Sequence, residues 1–352
     1  MTWRRKLALA FAAGLAALAA PPPTAARACA TVSPRDAVGI TREEAIVVWD
    51  AAAKEERFIR RAQFQTSEKD FGFLVPTPTK PDLAEASDAA FAALDQLVED
   101  ARETTTQIEW IPGCVFGLFA RSKSAASIPV AAGVNVLDSK IVAGLDATVL
   151  EADSATALAA WLNAHGYVQR PEIVAWLQPY IDAKFKITAF KYADQENRPV
   201  VELLSKAVML TFHTDRPYYP YREPADVAPT WGRLLRVFVI APTKMDGWLG
   251  DQRAPWNAEP VYAGPLAGND AKLAEQIPRA LLPSGAWLTV MNDRAVKRSD
   301  VGELYFGAAK EAGEVKPPPR VVVRKVFVPI ELGLVLAVVV IVVVRRVRRK
   351  KG

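Results

Sequence analysis

Alternating apolar and polar positions dominate the first part of the sequence and indicate neighbouring β-strands. Strands are predicted over residues 45–49, 57–66 and 71–76. In the second of them, Phe58, Ala62 and Phe64 fall on one side, as the two-residue period of a half-buried strand requires. Pro76 then ends the third strand because proline cannot donate to a β-ladder. The chain is therefore expected to open as a β-meander.

A period of 3.6 residues marks three further segments as helices. The clearest of them covers residues 84–103. A second is expected to begin at the cap residue Ser154 and to end before Gly166, which suits the left-handed position after a helix. Pro171 suits the first turn of a third helix, and Pro179 is expected to kink or end it.

The other periodic segments add mostly strands. They are predicted over residues 115–120, 130–137, 141–151, 184–192, 206–214, 234–241 and 286–291, with a weaker helix over 270–281. Strands follow one another more often than they alternate with helices. This order favours an α+β fold with largely antiparallel sheets and a few packed helices. A sub-boundary near residue 150 stays open, since no linker composition marks it.

Both ends of the chain carry apolar runs next to basic residues. Residues 4–6 are basic and precede an apolar run, and Ala26 and Ala28 form an A-x-A cleavage site. Residues 1–28 therefore have the pattern of a secretory signal peptide. Residues 326–344 are apolar, and their length predicts one C-terminal transmembrane helix. A basic tail follows, expected on the cytoplasmic side: Arg345, Arg346, Arg348, Arg349, Lys350 and Lys351.

These ends predict a single-pass protein of the cell membrane. Residues 29–315 are expected to form the α+β domain outside the cytoplasm, on the periplasmic or cell-surface face. Residues 316–325 form a Pro-rich stalk, residues 326–344 meet the lipid bilayer, and residues 345–352 form the basic tail. We expect this anchor to be the membrane contact of the protein.

The net charge changes sign once the two ends are set aside. The whole chain carries a formal charge of +5, and removing the four cations of the leader and the six of the tail leaves −5 for residues 28–344. An acidic domain lacks the basic footprint of a nucleic-acid-binding protein. A nucleic-acid partner is therefore excluded.

The two cysteines, Cys29 and Cys114, are disulfide candidates because the expected compartment is oxidising. Two alternatives stay open. Cys29 is acylated if the leader is a lipoprotein signal, and a cut after Ala30 removes Cys29 and leaves Cys114 as a free thiol.

Catalytic motifs are sparse. The only two histidines are His165 and His213; with Asp215 they would form a zinc ligand set, but the usual ligand spacing is missing. The sequence has no G-x-S-x-G nucleophile elbow and no phosphate-binding glycine loop. We therefore assign no catalytic residue, no metal and no cofactor.

The segment 216–222 is the best binding candidate. Its residues Arg216, Tyr218, Tyr219 and Tyr221 lie among two prolines, and tyrosines offer a large contact area at low entropic cost. An exposed loop here is expected to bind an envelope protein or a glycan; the opposing interpretation packs the tyrosines onto the sheet. The expected function is thus a binding or envelope-structural module. The alternative is an extracytoplasmic hydrolase acting on cell-envelope material.

Four segments, in this order, resemble a known bacterial family. They are Phe71–Pro78, Trp161–Tyr167, Phe185–Lys191 and Leu210–Pro220. Their order and spacing are similar to those of the family called domain of unknown function 2330. The resemblance implies an exported, membrane-anchored bacterial protein and carries over no catalytic residue.

Overall fold

The computed structural model describes residues 31–32, 38–65, 71–113, 140–167, 170–192, 203–227, 232–266, 271–278 and 281–349. The signal-peptide segment, Cys29 and Cys114 lie outside the described residues. So do Lys350, Lys351 and the strands predicted over 115–120 and 130–137.

Strands outnumber helices along the described chain. The strands are β1 Thr31–Val32, β2 Gly39–Asp50, β3 Glu55–Gln65, β4 Gly72–Thr77, β5 Asp82–Glu85, β6 Thr104–Gly113, β7 Lys140–Val142, β8 Leu145–Leu150, β9 Lys186–Tyr192, β10 Leu203–Leu204, β11 Val208–His213, β12 Tyr218–Tyr219, β13 Leu234–Ala241, β14 Met245–Leu249, β15 Ala254–Pro255, β16 Glu259–Pro265, β17 Trp287–Asp293, β18 Leu304–Ala308 and β19 Arg320–Pro329. The helices are α1 Ala89–Asp100, α2 Ala155–Ala164, α3 Pro171–Asp182, α4 Ala271–Gln276 and α5 Ile330–Arg349.

The chain divides into two compact units, Met1–Val98 with Gly133–Lys316, and Glu99–Ala132 with Pro317–Gly352. The first unit contains an eight-stranded sheet in the order β16-β17-β13-β2-β3-β11-β5, with β10 also paired to β3. Its strands are antiparallel except for the parallel pair β2 and β13. The side chains alternate between two apolar clusters, as the pleat requires: Val47 contributes to one and Ile46 to the other. The cluster around Ile46 includes Phe91 and Leu94 of α1.

Two smaller sheets complete the first unit. A five-stranded antiparallel sheet has the order β1-β4-β9-β8-β7, and a four-stranded sheet has the order β12-β18-β14-β15. Helices α2 and α3 pack on the five-stranded sheet through an apolar cluster that includes Leu158, Leu177 and Ile187.

The second unit is built around a two-stranded ribbon. Strands β6 and β19 pair in parallel, from Arg320 opposite Thr104 to Pro329 opposite Gly113. Helix α5 follows β19 directly and carries Arg346, Arg348 and Arg349 in its last turn.

The transmembrane helix predicted over 326–344 is not supported. Residues 326–329 belong to β19, where backbone pairing with β6 keeps them extended, and the helix begins only at Ile330. Among the residues that the structure describes, no helix is both long enough and apolar enough to cross a membrane.

The sheet-rich α+β architecture is confirmed, as are most predicted elements in the described ranges. Ser154 caps α2 by accepting a hydrogen bond from the backbone N–H of Ala157 at 3.0 Å, and Gly166 takes the left-handed conformation with φ +79°. Pro179 does not end α3, which continues through it to Asp182. Tyr180 and Ile181, both buried, hold that last turn in the core.

Candidate binding segment at residues 216–223

The predicted exposed tyrosine loop lies in the interior of the first unit. Tyr218 and Tyr219 are 0% exposed and Tyr221 is 2% exposed, so the expected exposure of these side chains is wrong. Tyr219 packs edge-on against Phe58 with ring centroids 5.7 Å apart. Of the four predicted binding residues, only Arg216 keeps substantial access to solvent, because its side chain is 38% exposed.

Two buried carboxylates hold the backbone of this segment in place. Glu56 of β3 accepts a hydrogen bond from the Tyr218 backbone N–H at 2.7 Å. Glu303 accepts from the Tyr221 backbone N–H at 2.6 Å and from the Tyr180 hydroxyl at 2.5 Å. A buried N–H without a partner would destabilise the fold, so these carboxylates allow an irregular segment to run through the core.

A third carboxylate fixes the ring of Tyr221. Asp293, at the end of β17, accepts hydrogen bonds from the Tyr221 hydroxyl at 2.6 Å and from the Trp256 indole N–H at 2.8 Å. Its other oxygen accepts from the backbone N–H of Ala295 at 2.7 Å. Asp293 therefore fixes the hydroxyl end of the Tyr221 ring and joins it to Trp256.

A buried network of five charged side chains lies beside the segment. Glu43 binds both Arg60 and Arg298, each at 2.7 Å. Glu223, which ends the segment, pairs with Arg233 at 2.5 Å and lies 3.8 Å from Arg298. All five side chains are almost completely buried. Removing one member would therefore leave the opposite charges without compensation in a dry environment.

Glu43 and Glu56 project from the same face of the eight-stranded sheet, but their surroundings affect their pKa values differently. Burial raises the pKa of Glu43, but Arg60, Arg298 and Arg233 outweigh this effect and hold its pKa well below the usual value. Burial also raises the pKa of Glu56, and the single N–H of Tyr218 offsets little of it, so its pKa stays well above the usual value. The pKa values of these two buried side chains are therefore shifted in opposite directions.

A small cavity adjoins the segment. It has about 10 Å³ open to the centres of water molecules and is lined by Arg60, Arg222 and Trp176 among others. This is close to the least volume that holds one water molecule. The Arg222 guanidinium also lies over the Tyr180 ring at 4.6 Å from its centroid. The cavity is therefore about the size of one water molecule.

The predicted candidates for metal chemistry are dispersed over the surface. The His165 ring stacks on Trp161 at 3.8 Å, whereas Asp215 pairs with Lys54 at 2.8 Å. In the described ranges, no group of three His, Cys, Asp or Glu side chains is placed to hold a metal ion. His213 ends β11 with an exposed side chain.

Sequence reasoning missed the buried charges, although one signal was present. Glu56 and Arg60 have the same parity along β3 as Phe58 and Phe64, which are buried in one apolar cluster. A charged residue at an inward position of an alternating strand indicates a buried, paired charge. That signal points to Glu56 and Arg60 but not to their partners, which come from distant segments.

Comparisons with known proteins add the family and little else. No curated protein matches the chain. A solved structure, the crystal structure of baculovirus P35, is similar at 6% identity with a TM-score of 0.36, over 80% of this chain and 97% of that one. A likeness this weak carries no argument about function. The model of the family DUF2330, described as "uncharacterized protein conserved in bacteria", matches residues 22–301, and the chain belongs to this family.

Proposed function

We propose that this protein is an extracytoplasmic binding or envelope-structural module that its C-terminal helix anchors to the membrane. The observation that carries the proposal is the apolar surface of α5. The seven consecutive residues 338–344 are all Val or Ile and are 44–59% exposed. Consecutive helical residues point in different directions, so this helix is apolar on every side. Such a helix is stable when an apolar environment surrounds it.

Lipid is the environment that the composition of α5 fits. Residues 332–344 contain no charged side chain, which gives an apolar length of about 20 Å at 1.5 Å per residue. A bilayer core is about 30 Å thick, which is more than this apolar length. The proposal is therefore that α5 inserts into lipid as an anchor, without a claim that it crosses the bilayer. Arg345, Arg346, Arg348 and Arg349 follow directly, and such clusters are attracted to anionic head groups.

The first unit supplies the body of the proposed module. The leader pattern of residues 1–28 supports export to the periplasmic or cell-surface face. Several sheets, with buried ion pairs such as Glu43 with Arg298 that join strand β2 to a loop, form a framework that suits a scaffold or a recognition surface. The proposed partners are the lipid bilayer and an envelope protein or glycan.

Vesicle flotation tests the anchor. The full chain is mixed with vesicles of phosphatidylcholine and phosphatidylglycerol and centrifuged through a density gradient. We expect the wild type to float with the vesicles and Val340→Arg to remain at the bottom. The matched control is Val301→Arg, which changes an equally exposed valine of the first unit (60% exposed) and should float as the wild type does. Equal flotation of both variants would contradict anchoring through α5.

A second measurement separates the module from the hydrolase alternative. The purified chain is incubated with cell-envelope fractions, and released products are analysed by mass spectrometry. If the wild type releases a product and a folded His213→Ala variant does not, the protein is a hydrolase and the binding-module proposal is wrong.

A further inference from the structure

One row of the four-stranded sheet carries aromatic residues on a single face. Tyr218 of β12 lies opposite Tyr305 of β18, which lies opposite Trp248 of β14, which lies opposite Pro255 of β15. Residues directly opposite across a sheet project to the same side. The row is buried at Tyr218, partly exposed at Tyr305 and Trp248, and exposed at Pro255.

Two arginines lie on the two partly exposed rings. The Arg216 guanidinium is 3.6 Å from the Tyr305 ring centroid, and that of Arg253 is 4.3 Å from the Trp248 ring. A Cβ atom at Gly307 would come within 2.8 Å of the Trp248 ring, so the ring lies against the sheet at this glycine. Stacking orients a guanidinium plane and leaves its N–H edge free to bind an oxyanion.

The ion pairs of the two arginines differ. Arg216 is paired with Asp251 of the β14–β15 turn, whose side chain is 79% exposed. Arg253 has no ion pair among the residues that the structure describes. It also has φ +54°, a left-handed conformation that is uncommon outside glycine and recurs at binding sites.

We infer that this face, formed by Tyr305, Trp248, Arg216 and Arg253, binds the carboxylate of an acidic saccharide. The ion pair with Asp251 shows that the Arg216 guanidinium binds a carboxylate at this position. Exposed ion pairs contribute little to stability, so a ligand carboxylate can displace Asp251 from Arg216 or bind at the unpaired Arg253. Both arginines offer the paired N–H donors that a carboxylate accepts.

The small size of this face favours a saccharide over a protein partner. A stable protein interface covers roughly 800 Å² on each side, well beyond two partly exposed rings. An extended peptide also has no edge to pair with. Strand β15 is only two residues long and ends at Pro255, and proline blocks further strand addition. A sugar ring with one carboxylate matches the positive charge of Arg216 and Arg253 beside these rings.

This inference rests on the proposed function in one respect: the protein would meet such a saccharide outside the cytoplasm. Flotation tests the anchor without any saccharide, so a failed anchor and a failed saccharide site give different results.

Calorimetric titration of the full chain in detergent with oligogalacturonate tests the site. Neutral galactose oligomers and oligoglutamate serve as comparison ligands. Arg253→Gln should weaken oligogalacturonate binding at least about tenfold, because it removes the charge-assisted hydrogen bonds to the ligand carboxylate. The matched control is Lys184→Gln, because Lys184 is also an exposed cation with positive φ, and it should leave the affinity unchanged.

Asp251→Asn gives the most specific result. Removing the competing carboxylate should strengthen oligogalacturonate binding several-fold, whereas a merely structural Asp251 would weaken it. Thermal melting of each variant confirms that it is folded. The inference is overturned if neutral oligomers or oligoglutamate bind as tightly as oligogalacturonate. It is also overturned if Arg253→Gln and Lys184→Gln have equal effects, or if Asp251→Asn lowers the affinity.

Discussion

The two units of this protein place polar and apolar side chains in opposite environments. The first unit buries ionised side chains such as Glu43, Arg60 and Arg298 and satisfies them internally. The second exposes a ribbon with Val321–Val323 at 44–49% and a helix with seven consecutive Val or Ile residues at 44–59%. Each unit thus departs from the usual pattern of apolar interiors and polar surfaces.

The difference indicates what each unit needs for stability. A buried charge is tolerated when partners of opposite charge and hydrogen bonds compensate its lost hydration, and the first unit supplies both from its own strands and loops. An apolar helix cannot compensate its exposure from within, because its backbone hydrogen bonds are already made. The second unit therefore calls for an external apolar environment, which is the physical basis of the membrane proposal.

The largest expected effect comes from breaking the buried network of the first unit. Arg298→Met leaves Glu43 and Glu223 with one arginine fewer in a dry interior, and we expect a loss of about 3–5 kcal/mol in the free energy of unfolding. Urea denaturation followed by circular dichroism measures it. Lys54→Met is the control, because the Lys54–Asp215 pair of the same unit is largely exposed and such pairs contribute little to stability. Equal losses in both variants would show that burial does not distinguish these pairs.

A change in the second unit should leave the first unit intact. Val340→Arg introduces a charge into the apolar run of α5, which costs about 2.5–3.5 kcal/mol at the centre of a lipid-inserted helix. We expect vesicle affinity to fall about a hundredfold. The unfolding midpoint of the first unit in urea should not change. A shifted midpoint would mean that the two units do not depend on separate environments.

The pH dependence of stability sharpens the comparison within the first unit. The pKa of Glu56 is raised above its ordinary value of 4.5, so the folded state binds a proton that the unfolded state releases. Stability from this group is complete below pH 4.5 and is lost as the pH rises through the folded pKa, by at most about 1.4 kcal/mol per pH unit. Glu56→Gln keeps an acceptor for Tyr218 and should remove that slope.

Urea unfolding of wild type and Glu56→Gln at several values between roughly pH 5 and pH 8 measures the slope. Glu43 has the opposite sign, because its lowered pKa gives stability that is present above 4.5 and lost on acidification. Parallel pH profiles for the wild type and the Gln variant would show that Glu56 is ionised in the folded protein.

The smallest effect is expected at the surface of the first unit. Lys54 and Asp215 form an ion pair at 2.8 Å with both side chains largely exposed. Water and salt screen such a pair, so Asp215→Asn should leave the urea midpoint unchanged. A measurable loss would show that exposed charges matter here as much as buried ones.

Periodicity in the sequence determined the local structure of this protein well. Strand β13 is observed at Leu234–Ala241 as predicted, and α2 begins after the predicted cap Ser154 and ends before the predicted left-handed residue Gly166. These signals are local because side-chain alternation and helix capping depend on residues within a few positions of one another. The binding segment carried no such signal, since three tyrosines between prolines suit an exposed loop as well as a buried one.

Only the tertiary structure decided the environment of that segment and of the C-terminal run. The backbone N–H of Tyr218 can be buried because Glu56, 162 residues earlier, accepts its hydrogen bond. No local sequence pattern predicts this contact. Residues 326–329 are as apolar as the helix after them. They nevertheless form a strand, because β6, which is distant in the sequence, pairs with them. Apolar composition alone marked these residues as one continuous apolar run. Long-range backbone pairing decided whether they form a strand or a helix, since each polar backbone group needs one partner and either structure provides it.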